Sequence, residues 1–96
     1  MEWLYAKGIP IEAQYLYRKA FVMAGQGNDE NALKYYRQAL IIAPRYSKAV
    51  YEMGNCLAHL GRYAEAARMY DRAIHLNPEE PAFRRQKESL LRESDT

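Results

Sequence analysis

The 96-residue sequence has few of the residues that build covalent or metal-bound frameworks. It holds one cysteine, Cys56, and two histidines, which excludes an internal disulfide framework and a cysteine-based zinc site. No stretch approaches the roughly 20 apolar residues of a membrane-spanning helix, and no basic segment followed by a long apolar run marks a signal peptide. The sequence therefore favours a cytoplasmic protein without a membrane segment.

Charge of one sign is also missing. Fourteen Lys and Arg residues oppose twelve Asp and Glu residues, for a formal net charge of +2, and the two signs are mixed along the chain. Nucleic-acid binders usually carry a concentrated basic surface, so this balance disfavours that class. The hydrophobic fraction of 49% is sufficient for one small domain with its own core.

The chain repeats itself with a period of 34 residues. Small residues, aromatics and helix-breaking residues recur at this spacing, and these are the types that determine where helices touch and end. Identical pairs include Tyr17/Tyr51, Ala24/Ala58, Gly27/Gly61, Ala32/Ala66, Tyr36/Tyr70, Ala39/Ala73 and Pro44/Pro78.

Each repeated unit has the pattern of two helices. In the second unit, apolar residues recur every three or four positions before Gly61 and again after it, as on one face of a helix. Gly61 suits the end of the first helix because glycine tolerates a positive φ, and Asn77-Pro78 ends the second. The first stripe consists of Ala49, Val50, Met53, Cys56, Leu57 and Leu60, and the second of Tyr63, Ala66, Ala67, Tyr70, Ala73 and Ile74.

The period divides the chain into five parts. We expect a partial helix left from an upstream repeat over residues 1–10, full repeats over 11–44 and 45–78, a capping helix over 79–93 and a frayed tail over 94–96.

The capping helix is expected to be apolar on one side only. Phe83, Leu90 and Leu91 are predicted to face the last repeat, whereas charged residues keep the other side in water.

These positions resemble the tetratricopeptide repeat, a 34-residue helix–turn–helix unit. The resemblance implies an all-α fold, a right-handed superhelical stack of antiparallel helix–turn–helix repeats, and a role as a protein–protein interaction scaffold. The second unit matches at Met53, Gly54, Leu57, Gly61, Tyr63, Ala66, Tyr70, Ala73 and Pro78, and the first at Ala20, Gly27, Ala32, Tyr36, Ala39 and Pro44.

No group of residues indicates chemistry. The Gly25-Gln-Gly27 segment lacks the lysine and spacing of a phosphate loop, and His59 and His75 have no companion ligands. Cys56 lies on an apolar stripe, where a thiol usually acts as a small hydrophobe. We therefore expect no enzyme activity, no cofactor and no metal.

The remaining pattern in the sequence indicates a binding surface. First helices of stacked hairpins line a concave groove, and the residues beside their packing stripe face it. Tyr17 and Tyr51 lie one repeat apart, although both could instead pack on a neighbouring helix. The predicted partner-binding residues are Gln14, Tyr17, Phe21, Lys48, Tyr51, Asn55, His59 and Arg85.

The resemblance also allows a test for one ligand. Some tetratricopeptide domains hold the C-terminal carboxylate of chaperones with a ring of lysine, asparagine and arginine. The corresponding positions here carry Tyr17, Phe21, Glu52, Ala82 and Gln86, and none matches. An aromatic groove with little charge favours an apolar or mixed peptide, or a helix, of a partner protein.

A structural role is the alternative. The low repeat count suggests a stretch of a longer array or a segment that self-associates as a homo-oligomer, with Trp3, Leu4 and Tyr5 as the first contact residues. RNA binding by a helical array is a weaker third reading because the charge is nearly balanced.

Overall fold

The structure is a computed structural model that describes residues 8–94, and within that range it consists of helices and connecting turns without a strand. The predicted all-α class and the stack of helix–turn–helix units are confirmed. The predicted contact residues Trp3, Leu4 and Tyr5 lie outside the described residues. The helices are α1 (Ile11–Gly25), α2 (Asp29–Ile42), α3 (Ser47–His59), α4 (Tyr63–Leu76) and α5 (Pro81–Ser94).

The turns inside the two hairpins share one geometry. Gly27 and Gly61 have φ angles of 80° and 79°, a backbone conformation that other residues rarely adopt. The N–H after each glycine donates back into the preceding helix, from Asn28 to the Met23 carbonyl at 2.9 Å and from Arg62 to the Leu57 carbonyl at 2.8 Å. This is the bonding expected of a glycine-ended helix, and it recurs 34 residues later.

The helices form an elongated stack in which each helix packs on the next, and α1 also contacts α3. Alanines allow the close approach: Ala32 and Ala66 are fully buried where the second helix of each pair meets the first. Tyr36 and Tyr70, also fully buried, fill the space beside them. Because α1 and α3 are neighbours, their free surfaces form one continuous face, which we call the α1–α3 face.

The C-terminal helix differs from expectation in two details. Phe83 and Leu90 are buried, as predicted, but Leu91 is 47% exposed, because one helical step turns it away from α4. α5 extends to Ser94, one residue beyond the expected end of the capping helix, and the Ser94 hydroxyl donates to the Leu91 carbonyl at 3.2 Å.

Candidate functional site

The α1–α3 face carries two cavities, each lined by residues of both helices. The first, of about 560 Å³, lies at the N-terminal ends of α1 and α3 and is called here the basic pocket. The second, of about 320 Å³, lies at their C-terminal ends and is called the acidic pocket. The basic pocket is lined by Ile9, Gln14, Tyr17, Arg18, Arg45, Tyr46, Ser47 and Lys48, and the acidic pocket by Phe21, Ala24, Gly25, Glu52, Asn55, Cys56, His59 and Gln86.

The basic pocket combines cations with aromatic walls. Arg18, Arg45 and Lys48 line it, and within residues 8–94 no carboxylate does. Gln14 closes one end, where its amide donates to the Ile9 carbonyl at 2.8 Å. The basic pocket therefore presents positive charge beside the tyrosine rings of Tyr17 and Tyr46.

Tyr17 is more buried than the sequence predicted. Its side chain is 9% exposed, and its ring lies 5.2 Å from the ring of Tyr46 and 5.7 Å from that of Tyr36. Tyr46 belongs to the turn between α2 and α3, so helical periodicity gave no sign that it covers Tyr17. Burial also raises the pKa of the Tyr17 phenol, which keeps it neutral. Tyr17 thus forms the floor of the basic pocket and offers little free contact area.

Two other predicted groove residues line neither pocket. Tyr51 is half-buried, with its ring centroid 4.8 Å from that of Phe83 and 5.8 Å from that of Tyr70. It joins α3 to α4 and α5, which is the packing alternative that the sequence left open. Arg85 is exposed on α5 and lies outside both pockets.

The acidic pocket combines an exposed aromatic ring with a hydrogen-bonded chain. Phe21 is 53% exposed and forms one wall. The Tyr70 hydroxyl donates to Oδ1 of Asn55 at 2.5 Å, and Nδ2 of Asn55 donates to Oε1 of Glu52 at 3.1 Å. Gln86 of α5 also lines the pocket, and its side chain opposes the rise that burial causes in the pKa of Tyr70. The chain of two hydrogen bonds links α4 to α3 and holds the Glu52 carboxylate in place.

Glu52 carries the negative charge of this pocket without a close ionic partner. Across residues 8–94, no salt bridge reaches its carboxylate. Burial raises its pKa, and the opposing effects of the Asn55 bond and of the Lys48 and His59 charges do not cancel that rise. The carboxylate is therefore half-desolvated and supported mainly by a neutral amide.

His59 and Cys56 complete the pocket without forming a reactive pair. His59 Nδ1 lies 3.4 Å from Oδ1 of Asp29, so the imidazole is directed toward the start of α2. Burial, together with a hydrogen bond to Asp29, raises the pKa of the Cys56 thiol to about 12. A thiol in this state stays protonated at neutral pH and is a poor nucleophile.

The predicted groove residues leave out several side chains that line the pockets, among them Arg18, Arg45, Glu52 and Gln86. The sequence presents Glu52 and Gln86 only as positions of a carboxylate ring and gives Arg18 and Arg45 no role. Glu52 precedes Asn55 by three residues on α3, so helical spacing could have placed it beside that side chain. Arg45 lies in the turn between α2 and α3, where the periodic pattern gives no information.

The described residues also bear on two other classes of site. Among residues 8–94, no three His, Cys, Asp or Glu side chains are grouped so that they could hold a metal ion. In the same range, no helix combines the length and the apolar character needed to cross a membrane.

Comparison with known proteins identifies the fold. A model of the tetratricopeptide repeat family matches residues 23–90. The human Tetratricopeptide repeat protein 6 is 28% identical over 74 residues, which make up 77% of this chain but 14% of that protein. This chain thus spans a small part of that relative.

Two solved structures are similar. The Sgt2 TPR domain from Aspergillus fumigatus has a TM-score of 0.81 at 25% identity, with 91% of this chain and 59% of that chain covered. The first TPR of Spaghetti (RPAP3), bound to the HSP90 peptide SRMEEVD, has a TM-score of 0.52 at 16% identity, with coverages of 88% and 94%, which shows a shared fold. The chain belongs to the tetratricopeptide repeat family, whose fold serves as a protein-interaction module.

Proposed function

We propose that this chain binds a peptide or helix of a partner protein along the α1–α3 face. The supporting observation is the pair of cavities, each lined by both helices, with the ring of Phe21 53% exposed at one of them. An exposed aromatic side chain beside polar groups is typical of surfaces that recognise other proteins. The two pockets differ in charge, so the proposed ligand is a mixed peptide rather than a uniformly charged one.

The spacing of the pockets sets the length of the proposed ligand. Lys48 of the basic pocket and Asn55 of the acidic pocket are seven residues apart on α3, or about 10 Å along the helix axis. An extended peptide covers that distance with about three residues. A segment of roughly six to eight residues would reach both pockets and their rims.

A chaperone-type carboxylate ring is not part of this proposal. The RPAP3 repeat binds an HSP90 peptide, but this chain shares 16% identity with it. At the ring positions the chain carries Glu52, whose charge would repel a carboxylate, and the buried, neutral Tyr17. An anionic group is better matched to Arg18, Arg45 and Lys48 in the basic pocket.

Panning of a random heptapeptide phage library on the full chain tests the proposal. Peptides that are enriched should lose about tenfold or more in affinity toward Phe21→Ala and Lys48→Glu variants. Ile41→Ala is the matched control, because Ile41 is 79% exposed on α2 and lines neither pocket. Enriched peptides that bind all three variants equally would place recognition elsewhere, and a library without enriched peptides would contradict peptide binding.

Self-association is the second candidate, favoured by an open apolar stripe on the outer side of α1. Ile11, Tyr15 and Val22 are 51%, 64% and 58% exposed. One repeat later, the positions of Tyr15 and Val22 are held by Ala49 and Cys56, which are buried in the core of the stack. The exposed stripe on α1 therefore resembles a helix–helix packing surface, and a second copy of the chain would cover it.

Sedimentation velocity over a wide concentration range decides this second candidate. A Tyr15→Lys, Val22→Lys double variant should shift a concentration-dependent dimer toward monomer because charge is introduced into an apolar contact. A wild-type chain that stays monomeric at every concentration would reject self-association through α1.

A further inference from the structure

The acidic pocket contains a carboxylate that forms no salt bridge with residues 8–94. Glu52 is half-buried, and its only hydrogen bond within the described chain comes from the neutral amide of Asn55. Among the described residues, the pocket lining has no lysine or arginine, and its one ionisable nitrogen belongs to His59, which faces Asp29. The charges of Lys48 and His59 act on Glu52, but neither residue forms a salt bridge with it. Half-buried carboxylates are usually paired, so the unpaired state of Glu52 indicates a role in binding a cation.

A second group near this pocket also lacks a partner. The Tyr36 side chain is fully buried, and its hydroxyl has no hydrogen-bond partner in the part of the chain that the structure describes. Its electrostatic neighbours include Glu52 and Cys56, both of which line the acidic pocket. The equivalent hydroxyl of Tyr70 points to Asn55, and the 34-residue shift puts Phe21 in the place of Asn55. Phe21 thus occupies the position whose side chain accepts from Tyr70 in the second repeat, and a phenylalanine ring offers the Tyr36 hydroxyl no such acceptor.

The wall itself suits a cation. A lysine or arginine side chain brings an apolar stem and a charged head, and an aromatic face attracts both. Phe21 offers its exposed ring to the pocket, and the same pocket is lined by the Glu52 carboxylate, which is held by the hydrogen bonds from Tyr70 to Asn55 and from Asn55 to Glu52. Because Glu52 is already oriented, pairing with a cation requires little reordering of the site.

We propose that the acidic pocket binds a lysine or arginine side chain of the partner peptide, with Glu52 as its counter-ion and the Phe21 ring as its packing surface. This assignment rests on the proposed peptide binding along the α1–α3 face and specifies one residue of the ligand. With the basic pocket about 10 Å away, the ligand would carry its cationic residue about three positions from an acidic one.

Four matched peptides test the assignment: Ac-Ala-Leu-X-Leu-Ala-NH2 with arginine, lysine, citrulline or glutamate at X. Citrulline keeps the shape of arginine and removes its charge. Each peptide is titrated into the isotope-labelled full chain while backbone amide shifts are recorded. The arginine and lysine peptides should bind about tenfold more tightly than the citrulline peptide, with the largest shifts at Phe21, Glu52, Asn55 and Gln86.

Two charge-matched variants complete the test. Glu52→Gln should remove the preference for arginine over citrulline and leave the citrulline affinity unchanged. Glu80→Gln, which removes the same charge from an exposed turn residue outside the pocket, should keep the preference.

The outcomes separate the two proposals. Equal affinity for all four peptides, with shifts on the α1–α3 face, overturns the cation assignment and leaves peptide binding intact. The cation assignment also fails if these peptides leave the face unshifted while panned peptides shift it. If neither set shifts the face, both proposals are overturned.

Discussion

The two repeats place a tyrosine at the same position and surround it differently. In the second repeat, the Tyr70 hydroxyl donates to Asn55, and the ring presses against Gly54. A Cβ added to Gly54 would lie 2.6 Å from Cε1 of Tyr70, a distance that real structures do not tolerate. The Tyr70 ring can therefore take the position in which it bonds to Asn55 only because residue 54 is a glycine without a Cβ.

The first repeat lacks both features. Phe21 stands at the position of Asn55, Ala20 stands at the position of Gly54, and the Tyr36 hydroxyl has no partner among residues 8–94. Ala20 is fully buried and accommodated, so the Tyr36 ring leaves room for a Cβ that Tyr70 does not. Two differences on the first helix of each repeat therefore decide whether the tyrosine forms a hydrogen bond or only fills space.

Gly54→Ala should have the largest effect on stability. The added methyl group meets the buried Tyr70 ring, whose hydroxyl is fixed to Asn55, so the contact cannot relax freely. We expect the overpacking to cost about 1–3 kcal/mol, which exceeds the roughly 1 kcal/mol that alanine gains in helix propensity. Thermal unfolding followed by circular dichroism would show this as a lower Tm.

Gly25→Ala is the matched control for that change. Gly25 lies at the end of α1 with an ordinary φ, and an added Cβ meets nothing within 4 Å. This variant should be neutral or more stable by up to about 1 kcal/mol. If both variants shift the Tm in the same direction, close packing between Gly54 and Tyr70 is not the cause.

The paired variants Tyr70→Phe and Tyr36→Phe sharpen the comparison. Tyr70→Phe removes the donor to Oδ1 of Asn55 and should cost about 1 kcal/mol. Tyr36→Phe removes a buried hydroxyl without a partner, so it should be neutral or stabilising by up to about 1 kcal/mol. Urea unfolding of both proteins measures the difference, and equal costs would contradict the distinct roles of the two tyrosines.

The fold was predictable because its determinants are local and repeated. Identity at alanine, glycine, tyrosine and proline positions 34 residues apart set the helix-pair pattern, and the positive φ of Gly27 and Gly61 agrees with the predicted turns. The resemblance to a known repeat then supplied the arrangement of the pairs. The division of the chain into repeats and terminal segments stays a prediction.

The candidate site was predictable only in part, because its shape depends on contacts between repeats. Periodicity found the face that carries Phe21 and Asn55, but it gave no sign of the turn residue Tyr46, which covers Tyr17. It also left Glu52 out, because the charge matters only once burial and a hydrogen bond from Asn55 are known. The sequence pattern predicts where helices form, but it does not predict the long-range packing between them.

The smallest expected effect is on the pH dependence of folding stability, which should differ between two carboxylates on neighbouring helices, Glu52 and Glu65. Burial raises the pKa of Glu52, so the folded state holds its proton more tightly than the unfolded state. Its contribution to stability is complete below the unfolded pKa of about 4.3 and is lost as pH rises through the folded pKa. Glu52→Gln should therefore be more stable than wild type at pH 7, by a margin that shrinks toward pH 4.

For Glu65, the pKa shift and its effect on stability have the opposite sign. The hydrogen bond from Arg62 lowers the pKa of Glu65, so Glu65→Gln should be slightly less stable than wild type at pH 7 and equal to it at low pH. Urea unfolding of the three proteins between about pH 2 and pH 7 gives both trends, because the Glu65 contribution is lost only below its lowered folded pKa. A Glu52→Gln margin that grows on acidification would contradict the desolvated state of Glu52.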